Sequence, residues 1–527
     1  MKAFAISLSF TMLLASAFFQ TANRGAWTNL APMPAARQEI STAVLDGKIY
    51  AITGFNGSGG NTSNVYVYNV QTNQWTEAAQ LPIATNHNAA AVAAGKLYAF
   101  GGTSNRCFVY NPQTNNWSDV APMRFQHANT AAVGVINDKI LVAGGNGPNM
   151  NQTELEVYDP AANTWTPLAS MSVPRNHTAG AAINGRFYVA GGRPGDTAAR
   201  ALEVYDPATN RWTTLRDLPT GRSGIGAAAV NGELYVFGGE QPRQFSEVEV
   251  YNPLTNTWQQ LPPMIVPKHG IFAAPLDNAI YLPGGATNQG LGATASFEVF
   301  TVNTATTTSA ASFASSLAAK AIVAAFGTGL ATGTQAATSQ PLPTDLAGTT
   351  VKVTDASGAT RQAPLFFVSP QQINYQIPPD TAPGFAIVTI TSGDGRTATG
   401  AIQILPAAPA LFTLSQDGKG PAAAIDAFTF TLGPFNAKRA NGEPNILAFY
   451  GAGLGADATD ADGNVSATVQ VTIDGAPATV QYAGRAPGFV GLNQLNMVLP
   501  ATISSGTHDV QLTRNGVASN IVTIAIR

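Results

Sequence analysis

The chain has 527 residues, enough for three or four domains of ordinary size. Charged residues make up 11% of it, against roughly 25% in a typical soluble domain, so neutral polar groups must solvate most of the surface. A net charge of −3 with scattered Lys and Arg excludes a basic nucleic-acid footprint, an acidic tail and a polybasic membrane patch.

At the N-terminus, Lys2 precedes an apolar run over 3–19, and Ala15-Ser16-Ala17 satisfies the small-x-small rule for cleavage before Phe18. Residues 1–17 are therefore expected to be a secretion signal rather than an anchor, because the run falls short of the ~20 residues a membrane span needs. No later stretch is long and apolar enough to cross a bilayer, so a secreted or cell-surface protein without a membrane span is expected after cleavage. Cys107 is the only cysteine, which leaves core burial rather than disulfides to stabilise the fold.

Six tryptophans follow at Trp27, Trp75, Trp117, Trp165, Trp212 and Trp258, and a tyrosine lies seven residues before each of the last five. Paired small residues keep the same phase: Thr53-Gly54, Gly101-Gly102, Gly144-Gly145, Gly191-Gly192, Gly238-Gly239 and Gly284-Gly285. Self-similarity at ~40–50 residues predicts a propeller or solenoid. In the unit 175–218, "HTAGAAI", "RFYVAGG", "ALEVYDP" and "RWTTL" predict four short antiparallel strands, with Asn184-Gly185 and Asp206-Pro207 as turns. The alanine-rich first strands (89–94, 179–183, 226–230) suit the crowded axis, and the Tyr and Trp columns suit the wider rim. The glycine pairs are expected to let the backbone pass close under a neighbouring aromatic.

The pattern strand–Gly-Gly–loop–Val-Tyr-(Asp/Asn)-Pro–Thr-Asn-x-Trp resembles the kelch repeat over about residues 24–303, with Thr53 and Leu141 as modest departures. The sixth copy has Thr307 where its tryptophan would fall, while "AWTNLAPMP" (26–34) stands unpartnered at the other end. Ring closure by the N-terminal segment follows as the expectation, giving an all-β, six-bladed propeller without open sheet edges.

Residues 304–311 are expected to be a linker. Beyond it "FGTGL" (326–330) recurs as "YGAGL" (450–454), and "QINYQIP" (372–378) as "QLNMVLP" (494–500). This tandem duplication predicts two immunoglobulin-like β-sandwich domains, 312–407 and 408–527. "LFFVSPQQINYQIP" and "YAGRAPGFVGLNQLNMVLP" resemble a C-terminal family of unknown function found on secreted acidobacterial proteins, which implies export and surface display but no chemistry.

The crossovers between blades share a face with the loops joining strands two and three. In kelch proteins that face commonly binds ligands. A basic column marks the crossovers, Arg37, Arg175, Arg222 and Lys268, with His127 in the corresponding place of the third copy. His87, His177 and His269 lie within two residues of the column, and Glu39 follows Arg37. The facing loops add Arg106, Asn146, Arg193, Glu240 and Arg243. These side chains either brace loops and neighbouring blades or line a shallow, cationic-leaning pocket suited to an anionic peptide or sugar acid. The four crossover histidines come from four blades and lack short ligand spacing, so neither a metal nor a cofactor is expected. His508 is expected to be an exposed strand residue and Cys107 a packed thiol.

The function expected is that of a secreted, monomeric, non-enzymatic binding or scaffold protein whose loop face meets an extracellular protein or glycan. The sandwiches would serve as spacer or surface attachment. One alternative is a sugar mutarotase, similar to six-bladed sialic-acid epimerases. A less favoured one is a copper radical oxidase resembling galactose oxidase, for which the chain lacks a Tyr-His dipeptide and has only one Cys.

Overall fold

A computed structural model describes residues 24–129, 131–147, 150–455 and 464–527. The segment read as a secretion signal lies outside the described residues.

Six four-stranded antiparallel sheets surround one axis. Blade four is representative: Ala179–Ile183, Arg186–Ala190, Leu202–Asp206 and Arg211–Thr214 pair in that order from the axis outward. The innermost strands are rich in alanine and glycine because space runs out there. A Cβ on Gly180 would lie 2.6 Å from the Tyr188 carbonyl and 2.9 Å from Ala132. Together these strands line an apolar axial channel of about 340 Å³.

The Tyr, Asn and Trp of each repeat weld adjacent blades. In blade four Tyr205 and Trp212 sit opposite each other, and the Tyr205 hydroxyl donates to Asn210 at 2.8 Å. Asn210 has a φ of 51°, a left-handed conformation that asparagine tolerates better than most residues. Its Oδ1 also accepts from the Ala169 amide of the preceding blade, while the Trp212 indole donates to the Ala169 carbonyl at 2.7 Å. The same exchange joins Trp75 to Ala31, Trp117 to Ala79, Trp165 to Ala121 and Trp258 to Arg216. The repeated spacing therefore encodes inter-blade hydrogen bonds as well as bulk.

The glycine pairs do not lie beneath aromatics. A Cβ on Gly238 would stand 2.3 Å from the Lys268 carbonyl, and one on Gly239 2.7 Å from the Ser223 carbonyl. The pair is pinched between the crossovers of its own blade and the next, which draws the loop face tightly around the axis.

The ring closes through its N-terminus. Gly25–Asn29 is the outer strand of the last blade and pairs antiparallel with Phe297–Val302, placing Trp27 opposite Phe300. Trp27 donates to the Pro262 carbonyl at 3.1 Å, repeating the inter-blade bond of the other five tryptophans.

Residues 304–311 are not a free linker. Ala305–Ser309 forms a strand against Ile322–Gly327 because its threonines and small residues alternate between core and solvent. Two β-rich units follow with separate cores, one around Val351, Tyr375 and Val388 and the other around Phe449, Met497 and Val510. The duplication is visible in their strand pairing. Ile322–Gly327 pairs with Gln372–Gln376, as Ile446–Ala452 pairs with Asn493–Val498. Gly384–Thr391 pairs with Thr397–Leu405, as Gly506–Arg514 pairs with Val522–Ile526.

The first unit abuts the hairpin-turn end of blade five. Asn231 donates to the Thr399 carbonyl at 3.1 Å, and only a glycine at 232 leaves room for Phe385, which a Cβ would meet at 2.2 Å. The opposite end of the propeller, where the crossovers lie, stays uncovered by it.

His508 is buried rather than exposed, held between the Asp474 carboxylate at 2.7 Å and the Ser504 carbonyl at 2.9 Å. The bond to Asp474, chiefly, raises its pKa. Such a group stabilises the fold fully below its unfolded value near 6.5 and loses that contribution as pH rises through the raised folded value. The stability difference between the wild type and His508→Gln should therefore shrink between about pH 6 and about pH 8. A constant difference in melting temperature across that range would assign His508 a packing role only.

Candidate functional site

Each crossover puts three consecutive residues into three different surroundings. The first position is the basic column, and it points into the blade. Arg175 reaches Glu203 at 3.1 Å, Arg222 reaches Glu249 at 2.5 Å, Lys268 reaches Glu298 at 3.1 Å and His127 reaches Glu156 at 3.2 Å. All four side chains are buried, and the glutamates all come from third strands. Arg37 instead donates to Asn64 and, at 3.3 Å, to the Tyr66 hydroxyl. In blade two Thr85 takes the position, and the partner is Phe108: cation and glutamate are replaced together. Burial pulls the Arg175 guanidinium down to about 10, with Glu203 opposing the shift. Arg37, His127, Arg175, Arg222 and Lys268, expected at a ligand pocket, instead turn into the blades. A buried charge needs a buried counter-charge, which Arg175, Arg222 and Lys268 find in glutamates, while Arg37 is held by neutral acceptors and His127 sits beside Glu156.

The second position bridges to the residue after a glycine pair. Asn176 meets Arg193, Ser223 meets Glu240 and His269 meets Ala286 in short antiparallel bridges. This tether pulls Arg193 and Glu240 inward. Arg106 and Arg243 stay at the rim, paired with Asp119 and Glu247 and stacked over Phe108 and Phe245.

The third position is left-handed in all six crossovers: Glu39, His87, Asn129, His177, Gly224 and Gly270, with φ from 50° to 63°. The amides of His87, Gly224, Gly270 and Glu39 donate at 2.9 Å to the carbonyls of Glu39, His177, Gly224 and Gly270, and that of His177 to Asn129. Five backbone links thus run around the axis at the crossover end of the channel. Two of the linked residues are glycine, so the side chains of Glu39, His87 and His177 have space to meet across the axis.

They meet closely. His87 Nε2 lies 3.2 Å from His177 Nε2 and 3.2 Å from Glu39 Oε2. Arg193 donates to His177 Nε2 and pairs with Glu240 at 2.9 Å. His269 Nε2 stands 3.5 Å from Glu240 and 3.8 Å from Glu39. Amide side chains set the ring orientations. Asn86 donates to Asn61 at 2.7 Å and turns its Oδ1 to His87 Nδ1; Asn176 donates to Asn146 at 2.8 Å and turns its Oδ1 to His177 Nδ1. Both Nδ1 atoms therefore carry the hydrogen, and both Nε2 lone pairs face the axis.

Burial, reinforced by Arg193 and opposed by Glu240, lowers His87 to about 3. Burial first, then His87, Arg193 and His269, lowers His177 far below the ordinary histidine value. With His87 and His177 neutral, two carboxylates face one guanidinium beside them. The cluster is not cationic-leaning, because the cations expected here went into the blades. Arg193 is its most accessible member, 27% exposed, beside a groove of about 510 Å³ lined by Asp196, Ser223, Gln241 and Gln289.

Of the expected site residues, Glu39, His87, His177, Arg193, Glu240 and His269 come together, and the buried column does not join them. Of the supporting amides, Asn146 is among the loop residues the sequence points to, whereas Asn61, Asn86 and Asn176 are not, although Asn-His recurs at 86–87 and 176–177 in the same phase. Cys107 is a packed thiol beside Tyr158 and Trp165 in the core between blades two and three, and burial raises its pKa to about 12.

The model of the KLHDC2/KLHL20/DRC7 kelch-repeats domain matches residues 15–145 and 87–285, together just over half of the chain. No curated protein matches. Among solved structures, the one titled "Structure of YjhT" is 18% identical, with 51% of this chain and 95% of that chain covered and a TM-score of 0.45.

Proposed function

The chain belongs to the kelch-repeat family, and from that premise we propose that it is an exported, monomeric binding protein whose crossover face takes a glycan. The observation that carries this reading is the convergence of Glu39, His87, His177, Arg193, Glu240 and His269 at the axis, next to the polar groove at Arg193. Carboxylates, imidazoles and amides alternate there as acceptors and donors, the pattern that hydroxyl groups satisfy, and Arg193 gives a charged donor for a ring oxygen or a sugar carboxylate. The two C-terminal units, read as immunoglobulin-like from strand rhythm, act as spacer or attachment modules on the other side.

The test is an immobilised-glycan screen with the intact secreted chain and its Arg193→Gln variant. Saturable binding by the wild type, weakened at least tenfold in Arg193→Gln, is the expected result. Equal binding by both proteins, or wild-type binding to no glycan, overturns the reading. Glu39 beside a neutral imidazole also suits proton transfer at an anomeric centre, which favours a sugar mutarotase as the second reading. Faster anomer exchange of the bound sugar, followed by NMR, would select it.

A further inference from the structure

The axial cluster holds two imidazole nitrogens and a carboxylate at close quarters, gathered from three blades. Two Nε2 atoms, both committed to the lone-pair state by Asn86 and Asn176, stand 3.2 Å apart with a carboxylate oxygen 3.2 Å from one of them. All three ligand atoms lie within 4.8 Å of one another, and the three residues are buried. Lone pairs do not attract one another. Arg193 already donates to one of the two, and a cation seated between them would serve both.

We propose that Glu39, His87 and His177 form a binding site for one first-row divalent cation of the zinc type, at the crossover end of the propeller axis. Metal–nitrogen bonds of about 2.1 Å bring two nitrogens 3.2 Å apart to an angle of roughly 100° at the metal, between octahedral and tetrahedral values. Two imidazoles and one carboxylate form a donor set for zinc, iron or cobalt, whereas calcium and magnesium favour all-oxygen ligands. The Asn86 and Asn176 contacts supply the outer-shell orientation that metal-bound histidines need, and Asn61 and Asn146 fix those amides in turn. His269, turned by Gln244 so that its Nε2 faces Glu39 and Glu240, lies next to the site. Arg193 now donates to His177 Nε2 and competes with the metal for that lone pair; because it is 27% exposed and also paired with Glu240, it has both room and a partner when displaced.

This inference shares its place with the glycan reading, but its test needs no sugar. The intact secreted chain, stripped with a chelator, is titrated with Zn²⁺ against a chromophoric competitor, and with Co²⁺ for its visible bands. One equivalent of zinc should bind, with little uptake of Mg²⁺. His87→Ala and His177→Ala should each weaken binding at least 100-fold, and Asn86→Ala by about 10–100-fold. Arg193→Gln should bind zinc more tightly than wild type, the opposite of its effect on a glycan, so failure of either reading is recognisable alone. The melting temperature of each metal-free variant identifies any that fails to fold, and the Arg193→Gln and Asn86→Ala comparisons then stand on their own. No stoichiometric zinc in the wild type, or wild-type affinity in both histidine variants, overturns the proposal.

Discussion

Arg175→Ala should lower the unfolding free energy of the propeller by about 3–5 kcal/mol, the usual cost of removing one partner from a buried ion pair. Arg175 and Glu203 are both buried, at 3.1 Å, so the variant leaves a buried carboxylate with only the neutral donors of Ser172. Truncation also removes the donor to the Val189 carbonyl at 3.2 Å, which ties the crossover to the second strand. Blade two supplies the control. It places Thr85 and Phe108 at the equivalent positions and forms the same four-stranded sheet. The double variant Arg175→Thr, Glu203→Phe should therefore recover most of the loss, because it removes both charges and fills the space with an aromatic ring. Denaturant unfolding of the three proteins decides the matter. If the single variant unfolds at the wild-type midpoint, the pair contributes nothing, and the column is open again to a role in binding.

That prediction marks where the sequence stops being legible. The phase of the crossovers was readable, because Tyr and Trp recur at a fixed distance from them. Side-chain direction was not. Arg37 and Glu39 are two residues apart, yet one turns into the blade and the other toward the axis, because the third crossover position takes a left-handed turn. Glu39 and His87 carry no local signature of that conformation; only Gly224, Gly270 and Asn129 at equivalent positions hint at it. The cationic column drew attention for its charge, but its partners, Glu156, Glu203, Glu249 and Glu298, sit inside strands that read as plain third strands. The signal was the joint replacement in blade two. At the domain junction the threonine-rich segment 305–309 looked like a linker because threonine serves loops and strands equally, and only its pairing with Ile322–Gly327 distinguishes them.

Removing the closing strand should have the second large effect. Residues 25–29 form the outer strand of the sixth blade, and Trp27 contributes ring contacts to Phe300 at 5.1 Å and Phe237 at 5.9 Å. A chain beginning at residue 31 loses this strand, the indole bond to Pro262 and the Arg24 contact with Glu233. It exposes the Phe297–Val302 edge, whose unpaired backbone groups recruit other chains. The truncated protein should melt at least 10 °C lower than the parent, a loss of several kcal/mol for a propeller of this size, and should aggregate on heating. Trp27→Ala alone should cost about 3 kcal/mol, the lower end of the range for burying Trp or Phe, because its ring is only half-buried. A synthetic peptide of residues 24–31 added in trans should restore part of the lost stability by pairing with the vacant edge. Were the truncated chain to melt within a degree of the parent, the ring would not depend on its N-terminal strand for closure, and the sixth blade would have to be stable with three strands.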